Sequence, residues 1–135
     1  MNVKELMIND LILYRARVQQ VKGLRDTDNT VQLIPHHQDE GLHTCNANEI
    51  TRISLAEYYL ILNGWQPCVW ERTVYKLVDD TKTIEIDLVH HWFSCSGYVR
   101  CKIPGVLYIH QLQQMMRICG LHRLADTFNI PDCNI

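Results

Sequence analysis

At 135 residues the chain has the length of one domain, and its 47% hydrophobic, 21% charged composition is that of an ordinary globular protein. A formal charge of −2 excludes a strong sequence-independent grip on nucleic acid, which needs many Lys and Arg against phosphate. A membrane span is excluded as well, because no run of about 18 uncharged apolar residues occurs.

Six cysteines make an even set, but a disulfide framework belongs to short exported chains, and Met1 to Leu6 has no long apolar leader. Reduced thiols in a cytoplasmic protein are expected. Charge is unevenly spread: Asp26, Asp28, Asp39 and Glu40 make an early acidic loop, whereas Leu88 to Ala125 carries Arg100, Lys102, Arg117 and Arg123 with no acid.

The first 34 residues read as β-structure. Leu11 to Tyr14 is rich in strand formers, Val18 and Val21 continue it, and Thr30 to Ile34 follows the turn cluster Arg25 to Asn29. Short strands joined this way predict a meander or a small SH3-like barrel. Residues 35–48 are polar, carry Gly41 and follow neither period, so a long exposed loop is expected there.

A helix is predicted from Ser54, with Glu57 completing a capping box, to about Asn63. Leu55, Tyr58, Tyr59 and Leu62 share its expected apolar face, Gly64 suits the left-handed C′ position, and Trp65 is expected to fold back onto the helix. Thr83 to Leu88 alternates strictly, placing Ile84, Ile86 and Leu88 inward and Glu85 and Asp87 outward. Thr73 to Val78 precedes it across the turn Asp79 to Lys82, and Tyr98 to Ile103 completes a predicted three-stranded antiparallel meander.

The last long element is a helix from about Val106 to Cys119. Tyr108, Ile109, Leu112, Met115, Met116 and Cys119 form its apolar stripe, predicted to pack on the strands between Thr73 and Ile103. His110, Gln113, Gln114 and Arg117 occupy the opposite face, expected to be solvated. One or two further helical turns are expected between Leu121 and Phe128. The fold class is therefore α+β in a single domain over residues 1–135, with a β-rich part at 1–34 and a helix–sheet–helix part at 50–130.

Chemistry-bearing motifs are sparse. His36, His37, His43 and Cys45 cluster in the loop, and His90, His91, Cys95 and Cys101 cluster later, but neither set has the paired spacing of a zinc site. No metal site and no cofactor is expected. P-loop, G-x-G-x-x-G, G-x-S-x-G and H-E-x-x-H signatures are absent, so the chain is not expected to be an enzyme, with a Cys/His-dependent activity as an alternative. The aromatics Trp65, Trp70, Tyr75, Trp92, Phe93 and Tyr98 are read as core rather than as a stacking platform.

Two segments carry a family likeness. RISLAEYYLILNGW, from Arg52 to Trp65, resembles a "PIPLTEEWLLKLGF" segment, and LYIHQLQQ, from Leu107 to Gln114, resembles a "YVHQLQNL" segment, of short uncharacterised proteins of Bacteroides-type phages and prophages. The opening ELMINDLILYRARVQQV is similar to that family's "ELRIGNYV" opening, with Asn9-Asp10 standing where the family has Gly-Asn. The resemblance implies a cytoplasmic protein of a mobile element, and it directs attention to His110 and Gln111.

The expected function is thus a non-enzymatic interaction or accessory module with a protein partner and no membrane attachment. Candidate binding residues are His110, Gln111, Gln113, Gln114 and Arg117. Weak nucleic-acid binding through the basic C-terminal third is the alternative, and self-association stays open.

Overall fold

The computed structural model describes residues 1–38, 40–96 and 100–131. Within them the chain is mixed α+β, with two antiparallel five-stranded sheets and three short α-helices. It divides into two compact units, Met1–Ser54 with 108–131 of the described chain, and Leu55–Leu107.

The first unit is built on strands β1 (Leu11–Tyr14), β2 (Arg17–Arg25), β3 (Thr30–Pro35), β4 (His43–Asn46) and β5 (Ile50–Thr51), in the spatial order β4-β3-β2-β1-β5. A single 3-10 turn, Ala47–Glu49, separates β4 from β5. The expected long loop is therefore interrupted: His43 to Asn46 pairs with β3, because Cys45 alternates with polar neighbours and completes a buried row. The β1–β2 connection is a two-residue turn in which both Arg15 (φ 51°) and Ala16 (φ 62°) are left-handed. Asn9 also lies at φ 74°, a conformation that glycine adopts at no cost and that asparagine tolerates.

Each face of this sheet has a job. Ile12, Val21, Val31, Leu33, Cys45 and Ile50 gather with Leu6 in one buried cluster. Leu11, on the alternate face, is equally buried, and β1 packs there against helix α2 (Ile109–Ile118), which is followed by α3 (His122–Asp126).

The last long helix therefore belongs to the N-terminal sheet rather than to the strands between Thr73 and Ile103. Its stripe is real, with Ile109, Leu112 and Met116 buried, but the buried arc also includes His110, Gln113 and Arg117, which were expected in solvent. The cause is that polar groups on β1 and before it supply partners for these side chains, a pairing across about 100 residues that helical periodicity does not report.

The second unit holds α1 (Glu57–Leu62) and β6 (Gln66–Pro67), β7 (Val74–Asp79), β8 (Lys82–Asp87), β9 (Trp92–Cys95) and β10 (Cys101–Lys102), in the order β10-β9-β8-β7-β6. The β7–β8 hairpin and its Asp80 turn agree with the alternation in sequence. The strand paired with β8 is Trp92–Cys95, and Cys101–Lys102 lies beyond it; Tyr98 and Val99 of the expected third strand lie outside the described residues.

Helix α1 starts later than expected. Ala56 is its N-cap, whereas Ser54 forms an isolated bridge with Tyr108 in the first unit. Leu60 is its buried residue, while Tyr58 and Leu62 of the anticipated apolar face are exposed.

Both longer helices close in the same way. The Trp65 amide donates to Leu60 O and the Gly64 amide to Ile61 O; the Leu121 amide donates to Met116 O and the Gly120 amide to Arg117 O. Gly64 (φ 86°) and Gly120 (φ 83°) supply the left-handed residue that this Schellman geometry needs. The accompanying pairs Trp65/Leu60 and Leu121/Met116 are all buried.

Candidate functional site

The five side chains singled out on α2 are engaged within the first unit. Gln111 Oε1 accepts the Tyr108 amide at 3.0 Å and closes the helix N-terminus. Gln113, fully buried, accepts the Leu11 amide at 2.9 Å and donates to Asn9 O and Ala125 O, so one side chain ties β1 to both helices. Gln114 donates to Glu5 O and to Asp10 Oδ2. Arg117 lies between Asp10 and Asp126, at 2.5 and 3.0 Å.

His110 is also fully buried. Its Nε2 stands 3.0 Å from Glu5 Oε2, and Glu5 is held in turn by a two-pronged contact from Arg52 at 2.6 and 2.7 Å. Hydrogen bonding from Arg52 holds the Glu5 carboxyl below its usual range. A carboxylate only accepts, so the His110 proton is on Nε2, and Nδ1 is left as a buried acceptor with no partner. Burial lowers the His110 pKa and favours the neutral ring. These contacts make the α2 residues a seam that registers helix against sheet.

The histidine and cysteine clusters are taken up by local contacts. His36 and His37 stack with ring centres 3.8 Å apart, and His37 Nε2 lies 3.1 Å from Ile130 O. Among the described residues, no group of three or more His, Cys, Asp or Glu side chains is placed to hold a metal ion. Burial pushes the Cys45 and Cys68 thiols up, away from the thiolate that a nucleophile requires.

In the second unit, Asp87 was expected in solvent but is buried. Burial alone raises a carboxyl pKa, yet bonds from the His90 amide and ring, Thr73 Oγ1 and the Val89 amide outweigh it and bring Asp87 to about 2. The arrangement locks the β8–β9 turn. The basic C-terminal third is likewise partly consumed: Arg117 is internal, and Arg100 pairs with Glu71 while lying over the Trp92 ring at 3.8 Å.

Besides His110 Nδ1 and Arg117 Nη2 in the seam, the first unit has buried polar groups left over at one end of its sheet. Cross-strand partners share a face, and the pairs Ile12↔Gln19, Tyr14↔Arg17, Val21↔Leu33 and Leu33↔His43 extend the cluster face of the sheet toward the β1–β2 turn. Along β2 that face runs Val21, Gln19, Arg17; along β1, Ile12, Tyr14; along β4, Cys45, His43. It changes from apolar to polar at one end. There Tyr14, Arg15, Arg17, Gln19, His43 and Thr44 line an open cleft of about 490 Å³.

Its electrostatics are one-sided, with two guanidinium groups and no carboxylate in the lining. Arg15 lies 5.1 Å from the centre of the Tyr14 ring, and the His43 ring lies 5.4 Å from it. His43 Nδ1 is 2.9 Å from Gly41 O and must donate to it, which leaves Nε2 of the neutral ring as an acceptor. Both that Nε2 and Gln19 Oε1 are buried and have no partner, and Gln19 is only 4% exposed. Sequence reading passed over this site. Its signal was the alternation Arg17, Gln19, Val21, in which a core-facing row carries two polar residues.

No protein-family model matches the chain, and no curated protein or solved structure matches it.

Proposed function

We propose that this chain is a non-enzymatic binding module, an accessory protein of a mobile element acting in the cytoplasm, and that it binds through the cleft at the end of its N-terminal sheet. The observation that carries the reading is the pair of unpartnered buried acceptors, Gln19 Oε1 and His43 Nε2, beside the unopposed guanidinium groups of Arg15 and Arg17. An orphaned buried acceptor costs about 1–3 kcal/mol, a burden that a ligand donor relieves. The α2 residues act in this reading as the frame that holds β1 in place. The order β4-β3-β2-β1-β5, with a 3-10 turn before the returning β5, supports a small SH3-like barrel as the scaffold.

Affinity capture from lysate, comparing the full chain with Arg17→Glu, tests the assignment. The expected result is loss of the captured species in a variant that melts at the same temperature. Equal capture by both proteins, or loss only together with unfolding, overturns it.

A further inference from the structure

We infer that the cleft takes single-stranded nucleic acid, an assignment that rests on the cleft being the binding face. The lining asks for three things at once: an anion for Arg15 and Arg17, a donor N–H for Gln19 Oε1 and neutral His43 Nε2, and a flat ring for the wall made by Tyr14 and the overlying guanidinium. A nucleotide with an amino-bearing base supplies phosphate, exocyclic N–H and π-face in one repeating unit. An acidic peptide satisfies the guanidinium groups and brings backbone N–H donors, but its acidic side chains supply no flat ring for the Tyr14 wall.

The strand must be single, because in a duplex each base face is stacked on its neighbours and cannot meet the Tyr14 ring, and a chain of net charge −2 is poorly suited to a rod of dense phosphate. A polymer is favoured over a free nucleotide by what lies next to the cleft. Thr44, paired with Gln32 on the face of β4 opposite His43, also lines a second groove of about 280 Å³ with Gly23, Leu24, Arg25 and Thr30, so a strand leaving the cleft meets that groove by passing round the edge strand β4. In that groove the Gln32 side chain lies against Gly23 and fills the space a Cβ there would take.

The test is fluorescence anisotropy of the full chain with a short labelled oligodeoxycytidine, an abasic strand of equal length, and dCMP as competitor. Expected are tighter binding of the cytosine strand than of the abasic one, weak competition by dCMP, and a log–log salt slope of about −1.4 for two phosphate contacts. Arg17→Ala should reduce the slope by about 0.7. Gln19→Leu should weaken the cytosine strand about tenfold, part of the way to the abasic level because stacking on Tyr14 remains, while leaving the melting temperature equal or higher, because it removes an unsatisfied buried acceptor. A structural role for Gln19 predicts the opposite change in melting temperature.

Absence of oligonucleotide binding at low salt, equal affinity for cytosine and abasic strands, or a slope unmoved by Arg17→Ala overturns the assignment. If the lysate experiment then still shows nuclease-resistant, Arg17-dependent capture, the cleft stands as a binding face and only its ligand class falls.

Discussion

Arg117 Nη1 lies 2.5 Å from Asp10 Oδ1, joining the last turn of α2 to the residue before β1 across 107 positions of sequence. Both side chains are buried, and Asp10 Oδ2 is bonded separately by the Met7 amide and by Gln114. The helix is thus fixed in register by a charge pair as well as by its apolar stripe.

Removing one member of that pair strands the other. Arg117→Met is expected to cost about 3–5 kcal/mol, because it leaves a buried carboxylate without its cation. The double variant Asp10→Leu with Arg117→Met should be less destabilised than the sum of the two single changes. A double-mutant cycle from denaturant melts measures this; strict additivity would show that the pair contributes no coupling.

Gln113 and Leu112 are both fully buried on α2, and both should matter, for different reasons. Leu112→Ala should cost about 2–5 kcal/mol through the cavity it leaves. Gln113→Ala should cost about 2–3 kcal/mol, since the Leu11 amide and the Asn9 carbonyl lose their partner and the Ala125 carbonyl loses one of its donors. Ile118, 87% exposed on the same helix, is the control, and Ile118→Ala should stay within about 0.5 kcal/mol. A Gln113 variant as stable as the Ile118 variant would return that residue to a solvated face.

His110 makes stability depend on pH. Its folded pKa is lowered, chiefly by burial and against the pull of Asp10 and Glu5, so the unfolded chain takes up a proton more readily than the folded one. Its contribution is fully present above the unfolded value of about 6.5 and is lost progressively as pH falls below it. Melting temperature should therefore decline from neutral toward mildly acidic pH. His110→Gln should flatten that decline, and an unchanged slope in this variant would place the titration elsewhere.

The β1–β2 turn carries removable strain. Arg15 and Ala16 both hold positive φ, a conformation that costs a non-glycine residue about 1–2 kcal/mol. Ala16→Gly should raise stability by about 0.5–1 kcal/mol after the larger chain entropy of glycine is counted, without altering the cleft side chains. Thermal melts decide it; a destabilised variant would mean that Ala16 is held by contacts rather than strained.

Local rules in the sequence by themselves determined β-structure at Leu11 to Tyr14, around Val18 and Val21 and from Thr30 to Ile34, the β7–β8 hairpin, the glycine stops at Gly64 and Gly120, and the apolar stripe of α2. Each depends on period two, period 3.6 or a left-handed residue, which neighbours within a few positions decide. The tertiary structure alone decided which sheet α2 meets and what its polar face is for. His110, Gln113 and Arg117 look like a solvated face from spacing, and become a buried seam only because Glu5, Asp10 and the Leu11 amide arrive from about 100 residues away. The same is true of the cleft. Arg17 and Gln19 alternate with Val18 in sequence like any half-exposed strand, and only the pairing of β1, β2, β3 and β4 sets them beside Tyr14 and His43, where Gln19 Oε1 and His43 Nε2 are buried without a protein partner.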